Sequence, residues 1–370
     1  MKIVLIIGTL KGGGAERILS AMANHWQSKG HSITLVTHDA MENDFYPLRL
    51  GINRIGLNLT GPTEGIVSTI RQRIRKITAL RRIMKDLRPD VVISFTYMTN
   101  CESIMALSCT GIPLIISERN NPVTQEISRA WKTLRTLLYP LADAVVLQTE
   151  GAARWAQRYL DPEKLHVIPN FVNLNETSLQ KEDLDLSEAK HFILAAGRLT
   201  RQKGFDLLIE AFSIAARDRK DWSLVILGEG EDRTFLEDLA IRLSVQDRVI
   251  MPGKLHNIRQ IMEKSDMFVL SSRYEGFPNV LLEAMALGLP VISTDCPFGP
   301  AYIVRHGIDG ILVPNQDTEA IAHAIHSLME NDAERRRLAS RSREVLDRFD
   351  KESIMHKWDI LIGSLAVPGV

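Results

Sequence analysis

Short apolar runs alternate with longer mixed segments along the whole chain. Runs of consecutive Val, Ile, Leu or Phe residues are typical of strands buried on both faces, as in a parallel sheet. The segments between these runs place apolar residues three or four positions apart, which predicts helices packed on one side. In the first half the pattern predicts strands at Met1–Leu10, Ser32–Val36, Val91–Phe95, Pro113–Ser117, Ala144–Leu147 and His166–Ile168.

The second half repeats this alternation. Its predicted strands are Phe192–Ala196, Ser223–Leu227, Arg248–Met251, Met267–Leu270, Pro290–Ser293 and Ile311–Val313. A polar stretch, Asn173–Lys190, separates the two series and is interpreted as a linker. The last helix, Lys351–Leu365, is expected to cross back to the first domain. We therefore predict an α/β protein of two Rossmann-like, doubly wound domains facing across a cleft, with boundaries 1–172 plus 352–370 and 173–351.

The composition is that of a soluble globular protein, since 45% of the 370 residues are apolar and 24% are charged. The three cysteines (Cys101, Cys109 and Cys296) lack CxxC spacing, which favours a reducing compartment. The opening apolar run is too short for a signal peptide, and no run reaches the ~18 apolar residues of a membrane span. We expect a cytoplasmic chain. Basic residues are in excess in the first half and acidic residues in the second, so the halves are expected to meet different partners.

The stretch Arg273–Pro290, RYEGFPNVLLEAMALGLP, follows a predicted strand and contains a helix expected to begin at Asn279. Glu275 lies just before that helix, and Glu283 lies on it. Ligands of open α/β sheets bind at the carboxyl ends of strands, and ionised carboxylates accept hydrogen bonds from sugar hydroxyls. The backbone N–H groups at the start of the helix would suit an anion. The stretch therefore predicts a sugar or phosphate site.

A basic loop follows the first strand of the second half. The loop GRLTRQKG, Gly197–Gly204, holds Arg198, Arg201 and Lys203. Arg recognises phosphate with a planar fork and Lys supplies a point charge. Arg198 and Lys203 are predicted to neutralise a diphosphate, and a solvated basic loop is the alternative.

A glycine-rich loop, KGGG, follows the first strand of the chain at Lys11–Gly14. Glycines let a backbone approach a ligand closely, and the helix behind them attracts negative charge. The dinucleotide fingerprint GxGxxG is incomplete because Arg17 holds the third glycine position. NAD binding with Asp39 as the ribose acid, and a purely structural turn, remain alternatives.

A polar cluster in the first half is a candidate for acceptor binding. ISERNNP, Ile116–Pro122, ends a strand with Glu118 and Arg119, a polar cluster expected to face the cleft and to serve catalysis or acceptor binding.

A helix at Ile66–Leu87 carries an apolar stripe that is expected to pack on the sheet. Its remaining face is basic, with Arg71, Arg73, Arg75, Lys76, Arg81, Arg82 and Lys85. Basic amphipathic helices bind anionic membrane surfaces, although this face could also be merely solvated. Nucleic acid is not an expected partner, because the second half is acidic and no aromatic platform is present.

These motifs resemble a known family. EGFPNVLLEAMALGLPVI, Glu275–Ile292, resembles the signature of retaining, GT-B fold glycosyltransferases of family 4. GGGAER, GRLTRQKGFD, IPN, LGEGED and HGIDGILVP fall at that family's positions, so the resemblance covers nearly the whole chain. SERNNP and TDCPFGPA are similar to a subgroup that builds polysaccharide or glycan on a polyprenyl diphosphate carrier.

The resemblance implies roles for the matching residues. Glu275 would hold hydroxyls of the donor hexose, Glu283 the ribose of a nucleoside diphosphate, and Arg198 and Lys203 the diphosphate. Gly253 would lie in the loop that receives the base. The other implied donor-site residues are Gly13, Gly14, Gly276, Phe277, Asn279, Val280 and Leu281. The residues expected at the acceptor or the membrane are Glu118, Arg119, Arg71, Arg75, Lys76 and Arg82.

Two positions depart from the family pattern. Many members carry a His near SERNNP, where this chain has Glu118 and Arg119, so Glu118 joins Glu275, Arg198 and Lys203 as a catalytic candidate. Tyr302 replaces the Glu usual after the PFGP run, which leaves that contact open.

No metal or other cofactor is expected. Asp183 and Asp185 mimic the metal-binding DxD motif of another glycosyltransferase class, but they lie in the acidic linker without a preceding strand. The histidines show no HxxH or HExxH spacing.

The sequence thus predicts a retaining glycosyltransferase that moves a hexose or N-acetylhexosamine from a UDP-sugar to a glycan linked to a polyprenyl diphosphate. It would be peripheral on the inner face of the cytoplasmic membrane. One alternative is a UDP-sugar epimerase of the GT-B fold, which needs no acceptor. The other is a catalytically silent partner subunit of a glycan assembly complex.

Overall fold

Two compact α/β units make up the chain. One comprises Met1–Phe171 and Lys351–Val370, and the other comprises Val172–Asp350. The computed structural model describes residues 1–61, 64–121, 123, 127–174, 190–255 and 258–366. Most of the expected linker, including Asp183 and Asp185, lies outside the described residues.

The first unit is built on a seven-stranded parallel sheet with the order β3-β2-β1-β4-β5-β6-β7. Its strands are β1 (Lys2–Ile7), β2 (Ser32–Thr37), β3 (Asn53–Gly56), β4 (Val91–Phe95), β5 (Leu114–Ser117), β6 (Ala144–Leu147) and β7 (Leu165–Val167). Its helices are α1 (Gly14–Ser28), α2 (Gly65–Leu87), α3 (Tyr97–Leu107), α4 (Arg129–Leu138) and α5 (Glu150–Ala156), joined by the final helix of the chain, α14 (Lys351–Ala366).

The strand β3 is absent from the sequence prediction, which has six strands in this half. Asn53–Gly56, NRIG, has no apolar run, and it lies at the edge of the sheet with Asn53 exposed. An edge strand covered on one side needs fewer apolar residues than a central one, so its pattern is weak.

The second unit holds a six-stranded parallel sheet with the order β10-β9-β8-β11-β12-β13. Its strands are β8 (His191–Ala196), β9 (Trp222–Leu227), β10 (Val249–Gly253), β11 (Met267–Leu270), β12 (Val291–Thr294) and β13 (Ile311–Val313). Its helices are α6 (Phe205–Ala215), α7 (Arg233–Arg242), α8 (Ile258–Lys264), α9 (Asn279–Ala286), α10 (Pro300–Ile303), α11 (Thr318–Glu330), α12 (Asp332–Ser342) and α13 (Val345–Arg348). The prediction of two parallel-sheet α/β domains is confirmed.

The helix α14 is held in the first unit by aromatic side chains. Trp26 on α1 donates from Nε1 to Asp359 Oδ1 at 2.7 Å, and its ring meets Trp358 edge-to-face with centroids 6.4 Å apart. Both tryptophans are almost fully buried. Removing a buried Trp costs about 3–5 kcal/mol, so this contact anchors the chain's last helix firmly.

Candidate active site

Two loops meet at the carboxyl ends of β8 and β11, which are neighbours in the second sheet. The chain leaves β8 toward β9 on one side and leaves β11 toward β12 on the other. Such a reversal of strand order opens a crevice at the strand ends, where ligands of α/β proteins bind. The loop after β8 contains a short helical turn, Arg201–Lys203, and the loop after β11 leads into α9.

An ion pair joins these loops. Lys203 Nζ lies 2.5 Å from Glu275 Oε1, and the Ser272 hydroxyl donates to the same oxygen at 2.7 Å. The side chains of Lys203 and Glu275 are 18% and 8% exposed. Ser271 Oγ also donates to the Lys203 carbonyl at 2.9 Å. The sequence predicted Lys203 and Glu275 as site residues, and the structure brings them into direct contact.

A second contact fixes the relative position of the same two loops. Arg273 makes a bidentate pair with Asp206, Nη1 to Oδ1 at 2.8 Å and Nη2 to Oδ2 at 2.7 Å. Burial raises the pKa of Asp206, but its hydrogen bonds from Arg273 outweigh this and the pKa is lowered overall. A paired guanidinium and carboxylate in this fork geometry is among the stronger side-chain contacts. The loops are therefore preorganised before any ligand binds.

Only some of the backbone N–H groups at the start of α9 could bind a ligand. Pro278 is the N-cap residue, and its carbonyl accepts hydrogen bonds from Leu281 N at 3.1 Å and Leu282 N at 3.2 Å. Because the Leu281 N–H is already donated within the turn, and its side chain is fully buried, Leu281 does not offer a group to a ligand here. Asn279 and Val280 carry the N–H groups nearest the helix end.

Several predicted donor residues are placed by packing. Phe277 is buried, with its ring 5.6 Å from Phe349 and 6.3 Å from Tyr302 between centroids, and so anchors the loop that carries Glu275 and Gly276. Tyr302, the residue that departs from the family pattern, thus packs against Phe277. Glu283 is buried on α9.

Two other residues predicted to bind the donor take no part in the Lys203–Glu275 ion pair. Arg198 is exposed in the loop after β8. Gly253 ends β10 with φ +98°, and its carbonyl accepts a hydrogen bond from Gly228 N at 2.8 Å.

A close approach of two backbones shapes the floor of the β8 loop. A Cβ placed on Gly228 would overlap the carbonyl oxygen of Gly197 and lie 2.9 Å from its carbon. Gly228 also has φ +144°, a conformation that residues with a side chain rarely adopt. Gly228, the first glycine of LGEGED, therefore has a steric function that the motif alone did not reveal.

Two side chains near the ion pair were missed as site residues. Ser272 hydrogen-bonds Glu275, three positions away, and its place at the end of an apolar strand was the available signal. Cys296 lies near Glu275 and Lys203, but burial raises the pKa of its thiol to about 12. A thiol with so high a pKa stays protonated at neutral pH and does not supply a nucleophile.

In the first unit the glycine-rich loop is tied to β2. Lys11 Nζ lies 2.8 Å from Asp39 Oδ2, and Thr60 donates to Asp39 Oδ1 at 2.7 Å. Burial raises the pKa of Asp39, but Lys11 and Thr60 outweigh it and lower the pKa. Asp39 is thus a buried partner of Lys11. Gly13 is the N-cap of α1, and its carbonyl accepts from Tyr46 at 3.2 Å.

Glu118 is buried rather than presented to solvent. Its Oε2 accepts from the Tyr139 hydroxyl at 2.8 Å and lies 3.8 Å from Arg135 Nη1. Burial raises the pKa of Glu118, and the charge of Arg135 opposes that rise. Tyr139 and Arg135 therefore enclose this member of the expected polar cluster.

Arg119 is buried as well. Its guanidinium lies over the Phe95 ring, 3.7 Å from the centroid, and Nη1 donates to Asn170 Oδ1 at 2.7 Å. Burial lowers its pKa to about 9. Arg119 thus connects the end of β5 to the segment after β7.

The helix α2 differs most from its predicted role. Only Leu80 and Met84 of its apolar stripe are buried, whereas Ile66, Ile70 and Ile74 are 80%, 52% and 55% exposed. The expectation that the stripe packs on the sheet is wrong for its first half, where these three isoleucines are exposed. The exposed residues of this helix include Val67, Ile70, Arg71, Ile74, Arg75, Arg82 and Lys85.

Part of the basic face instead turns inward. Arg73 lies 3.6 Å from the buried Glu102 and stacks over Trp131, 4.3 Å from the centroid. Burial raises the pKa of Glu102, and Lys76 and Arg73 oppose that rise. Lys76 is half-buried on the same side. These contacts attach α2 to α3 and α4.

The described residues lack two features, a metal-binding cluster and a membrane-spanning helix. No group of three or more His, Cys, Asp or Glu residues in that part of the chain is arranged to hold a metal ion. None of the described helices has the length and apolar character needed to cross a membrane.

Comparisons with known proteins assign both halves of the chain. The family model of Glycosyltransferase Family 4 matches residues 12–176, and that of Glycosyl transferases group 1 matches residues 176–345. A Campylobacter jejuni enzyme is 28% identical over 369 residues, covering 99% of each chain. Its name describes an α-1,4-N-acetyl-D-galactosaminyltransferase acting on a GalNAc-containing glycan of diNAcBac-PP-undecaprenol.

Solved structures match the fold. Sucrose-phosphate synthase from Thermosynechococcus elongatus has a TM-score of 0.84 at 20% identity, covering 98% of both chains. Anabaena HepE in complex with UDP and glucose has a TM-score of 0.81 at 20% identity, covering 98% of this chain and 100% of that one. The chain has the GT-B fold, as predicted.

Proposed function

The chain belongs to the family 4 and group 1 glycosyltransferases, and on that premise we propose a retaining transfer of a hexose or N-acetylhexosamine from a UDP-sugar to a glycan on polyprenyl diphosphate. The observation that carries this proposal is the Lys203–Glu275 pair at the ends of β8 and β11. It places a cation for a diphosphate beside a carboxylate for sugar hydroxyls. The acceptor class is supported by the Campylobacter relative, whose named substrate is a glycan on PP-undecaprenol. The donor class is supported by HepE, which binds UDP and glucose.

The proposed chemistry depends on charge that develops during the reaction. As the bond from sugar to diphosphate breaks, the leaving UDP gains negative charge. Lys203 Nζ and the exposed Arg198 stabilise that charge more strongly than they stabilise the bound donor, which lowers the barrier. The N–H groups at the start of α9 add a partial positive charge. These groups would stabilise the charge of the leaving UDP without a metal ion.

Glu275 has a second role in this proposal. Its Oε1 is held by Lys203 and Ser272, so the carboxylate has a fixed orientation in which to accept hydrogen bonds from the donor sugar. Glu283 is the proposed ribose partner. Glu118 and Arg119 are enclosed, so we assign them to shaping the acceptor side of the first unit rather than to contact with the reacting atoms.

The function is tested by a panel of UDP-sugars, with ADP- and GDP-sugars as controls. The true donor should raise the melting temperature most, because stabilisation grows with ligand concentration over Kd. It should also release UDP only when a lipid-linked acceptor is present. Conversion of the UDP-sugar without acceptor would favour the epimerase alternative. Donor binding with no transfer to any lipid-linked glycan would favour the silent subunit.

The proposed membrane partner binds through α2. Its exposed face combines Ile70 and Ile74 with Arg71 and Arg75, which is the composition of a helix that lies in a membrane interface. The apolar side chains enter the acyl boundary and the guanidinium groups meet anionic headgroups. In this proposal the enzyme lies on the surface of the membrane that carries its acceptor, and we place it on the cytoplasmic face.

Replacing Ile70 and Ile74 together with Ser should weaken binding to anionic vesicles about 100-fold, since burying an isoleucine contributes about 1.5–3 kcal/mol. Vesicle co-sedimentation measures the change. The matched control replaces Ile241 and Ile360 with Ser, because each is 60% exposed and neither lies on α2. Equal binding by the two double variants would rule out α2 as the membrane-binding element.

A further inference from the structure

A pocket of about 450 Å³ opens at the C-terminal end of α2. It is lined by Arg81, Met84, Lys85, Arg88, Pro89, Thr110 and Ile112. Pro89 precedes β4 and Ile112 precedes β5, so the pocket lies at the amino ends of the strands. Catalytic groups of α/β enzymes lie at the opposite, carboxyl ends, so this pocket lies at the end of the first sheet that does not carry catalytic groups.

The chemistry of the pocket is amphipathic. Met84, Pro89 and Ile112 form an apolar floor, and three basic side chains stand at its rim. Arg81 donates one hydrogen bond to the Ser108 carbonyl at 2.7 Å, which fixes its guanidinium there. Among the described residues, Lys85 and Arg88 form no ion pair. The site therefore offers unneutralised positive charge above a surface that suits carbon atoms.

Arg88 stands in an unusual backbone position. It follows the last residue of α2 with φ +46° and ψ +64°, the left-handed conformation that usually calls for glycine or asparagine. The left-handed conformation is unfavourable for a residue with a side chain. The turn aims the chain so that Arg88 and Pro89 both line the pocket.

The pocket shares the exposed face of α2 with the proposed membrane contacts. Ile70, Ile74, Arg81 and Lys85 recur at intervals of four or seven residues, which places them on one side of the helix. Ile70 and Lys85 are separated by roughly 22 Å along the axis. A helix lying on a membrane by this face brings the pocket mouth to the headgroup layer.

We propose that this pocket binds one anionic phospholipid of the membrane, with Lys85 and Arg88 on the phosphate and the apolar floor on the glycerol and first acyl carbons. Charge complementarity selects the phosphodiester, and the apolar floor distinguishes a phospholipid from free phosphate. The inference rests on the proposed membrane contact of α2 and adds to it a site for a single lipid. Such a site would fix the rotation of the helix on the surface.

The test uses a soluble short-chain lipid, dihexanoyl phosphatidylglycerol, and the melting temperature of the full chain. Wild type should be stabilised by this lipid, and much less by dihexanoyl phosphatidylcholine or glycerol 3-phosphate. Thr110→Trp fills the pocket without a change of charge, and it should weaken lipid binding at least tenfold. Lys85→Gln with Arg88→Gln should do the same.

The matched control is Arg71→Gln with Arg82→Gln, which removes the same charge from α2 outside the pocket. It should keep the lipid-dependent stabilisation while losing affinity for anionic vesicles, roughly fivefold for each residue. Absence of stabilisation in wild type, or its persistence in Thr110→Trp, would overturn the pocket. Stabilisation by glycerol 3-phosphate equal to that by the lipid would also overturn it. Vesicle binding by the Ile70 and Ile74 variant tests the membrane proposal separately, so the two can fail independently.

Discussion

Replacing Lys203 with Ala is expected to lower kcat for sugar transfer by about 10²–10³-fold, the usual effect of removing one group that stabilises developing negative charge. Lys203 Nζ lies 2.5 Å from Glu275 Oε1, so the substitution removes the cation for the diphosphate and frees the carboxylate from one of its two fixed contacts. The KM for the donor should rise less than kcat falls, because the developing charge exceeds that of the bound donor. Steady-state UDP release with a lipid-linked acceptor measures both constants.

Arg201→Ala provides the matched control for this experiment. Arg201 occupies the same helical turn, carries the same charge and is exposed. Its loss should change kcat by less than threefold, a small effect typical of a screened surface charge. If Lys203→Ala retained near wild-type turnover, or if Arg201→Ala were equally impaired, Lys203 would have no specific catalytic role. A melting temperature for each variant separates loss of activity from loss of fold.

The sequence predicted this pair as two separate residues in two separate motifs. Lys203 and Glu275 are 72 positions apart, and each was assigned to a strand end from its local pattern alone. Their contact depends on β8 and β11 being neighbours, which follows from the strand order and not from either motif. Ser272 was missed for the same reason, because the orientation of a hydroxyl at a strand end depends on the loop that follows it.

The fold itself was predictable because buried parallel strands need continuous apolar runs, and those runs are visible in the sequence. Strands such as Val91–Phe95 and Met267–Leu270 have the predicted bounds. The edge strand Asn53–Gly56 was not visible, since an edge position does not demand an apolar run. The apolar pattern therefore reveals buried strands clearly and exposed edge strands poorly.

Helical periodicity could not show which part of α2 is covered. Ile70, Ile74 and Met84 belong to one repeating stripe, yet the first two are exposed and Met84 is buried. Coverage depends on where α3 and α4 pack, which is tertiary information. Burial of Glu118 was likewise invisible, because the enclosing Tyr139 and Arg135 come from a later helix and turn. The acceptor side was for these reasons less predictable than the donor side.

Glycine positions connect the fold of the second unit to its site. The carbonyl of Gly197 and the backbone of Gly228 are in direct contact, and the loop that carries Arg198 and Lys203 begins at Gly197. Displacing Gly197 would therefore move the cationic side chains as well as loosen the sheet. Disturbing this contact is expected to lower both the stability of the second unit and its affinity for the donor.

Gly228→Ala is accordingly expected to destabilise the second unit by about 2–4 kcal/mol and to lower its melting temperature by roughly 5–15 °C. The added Cβ overlaps the Gly197 oxygen, and alanine also disfavours φ +144°. Folded protein should bind the donor at least tenfold more weakly, because the β8 loop must shift to relieve the overlap. Thermal unfolding followed by circular dichroism, together with donor titration below the melting temperature, measures both effects.

Gly363→Ala is the control that separates this contact from the general effect of adding a methyl group. Gly363 lies within α14, is exposed, and has no atom within 4 Å of the position of an added Cβ. Alanine there should stabilise the helix by about 0.5–1 kcal/mol and leave donor binding unchanged. A wild-type melting temperature and donor affinity in Gly228→Ala would mean that the two loops tolerate separation. Glycine at position 228 would then not be required to position Lys203, whereas the role of the Lys203–Glu275 ion pair is tested separately by Lys203→Ala.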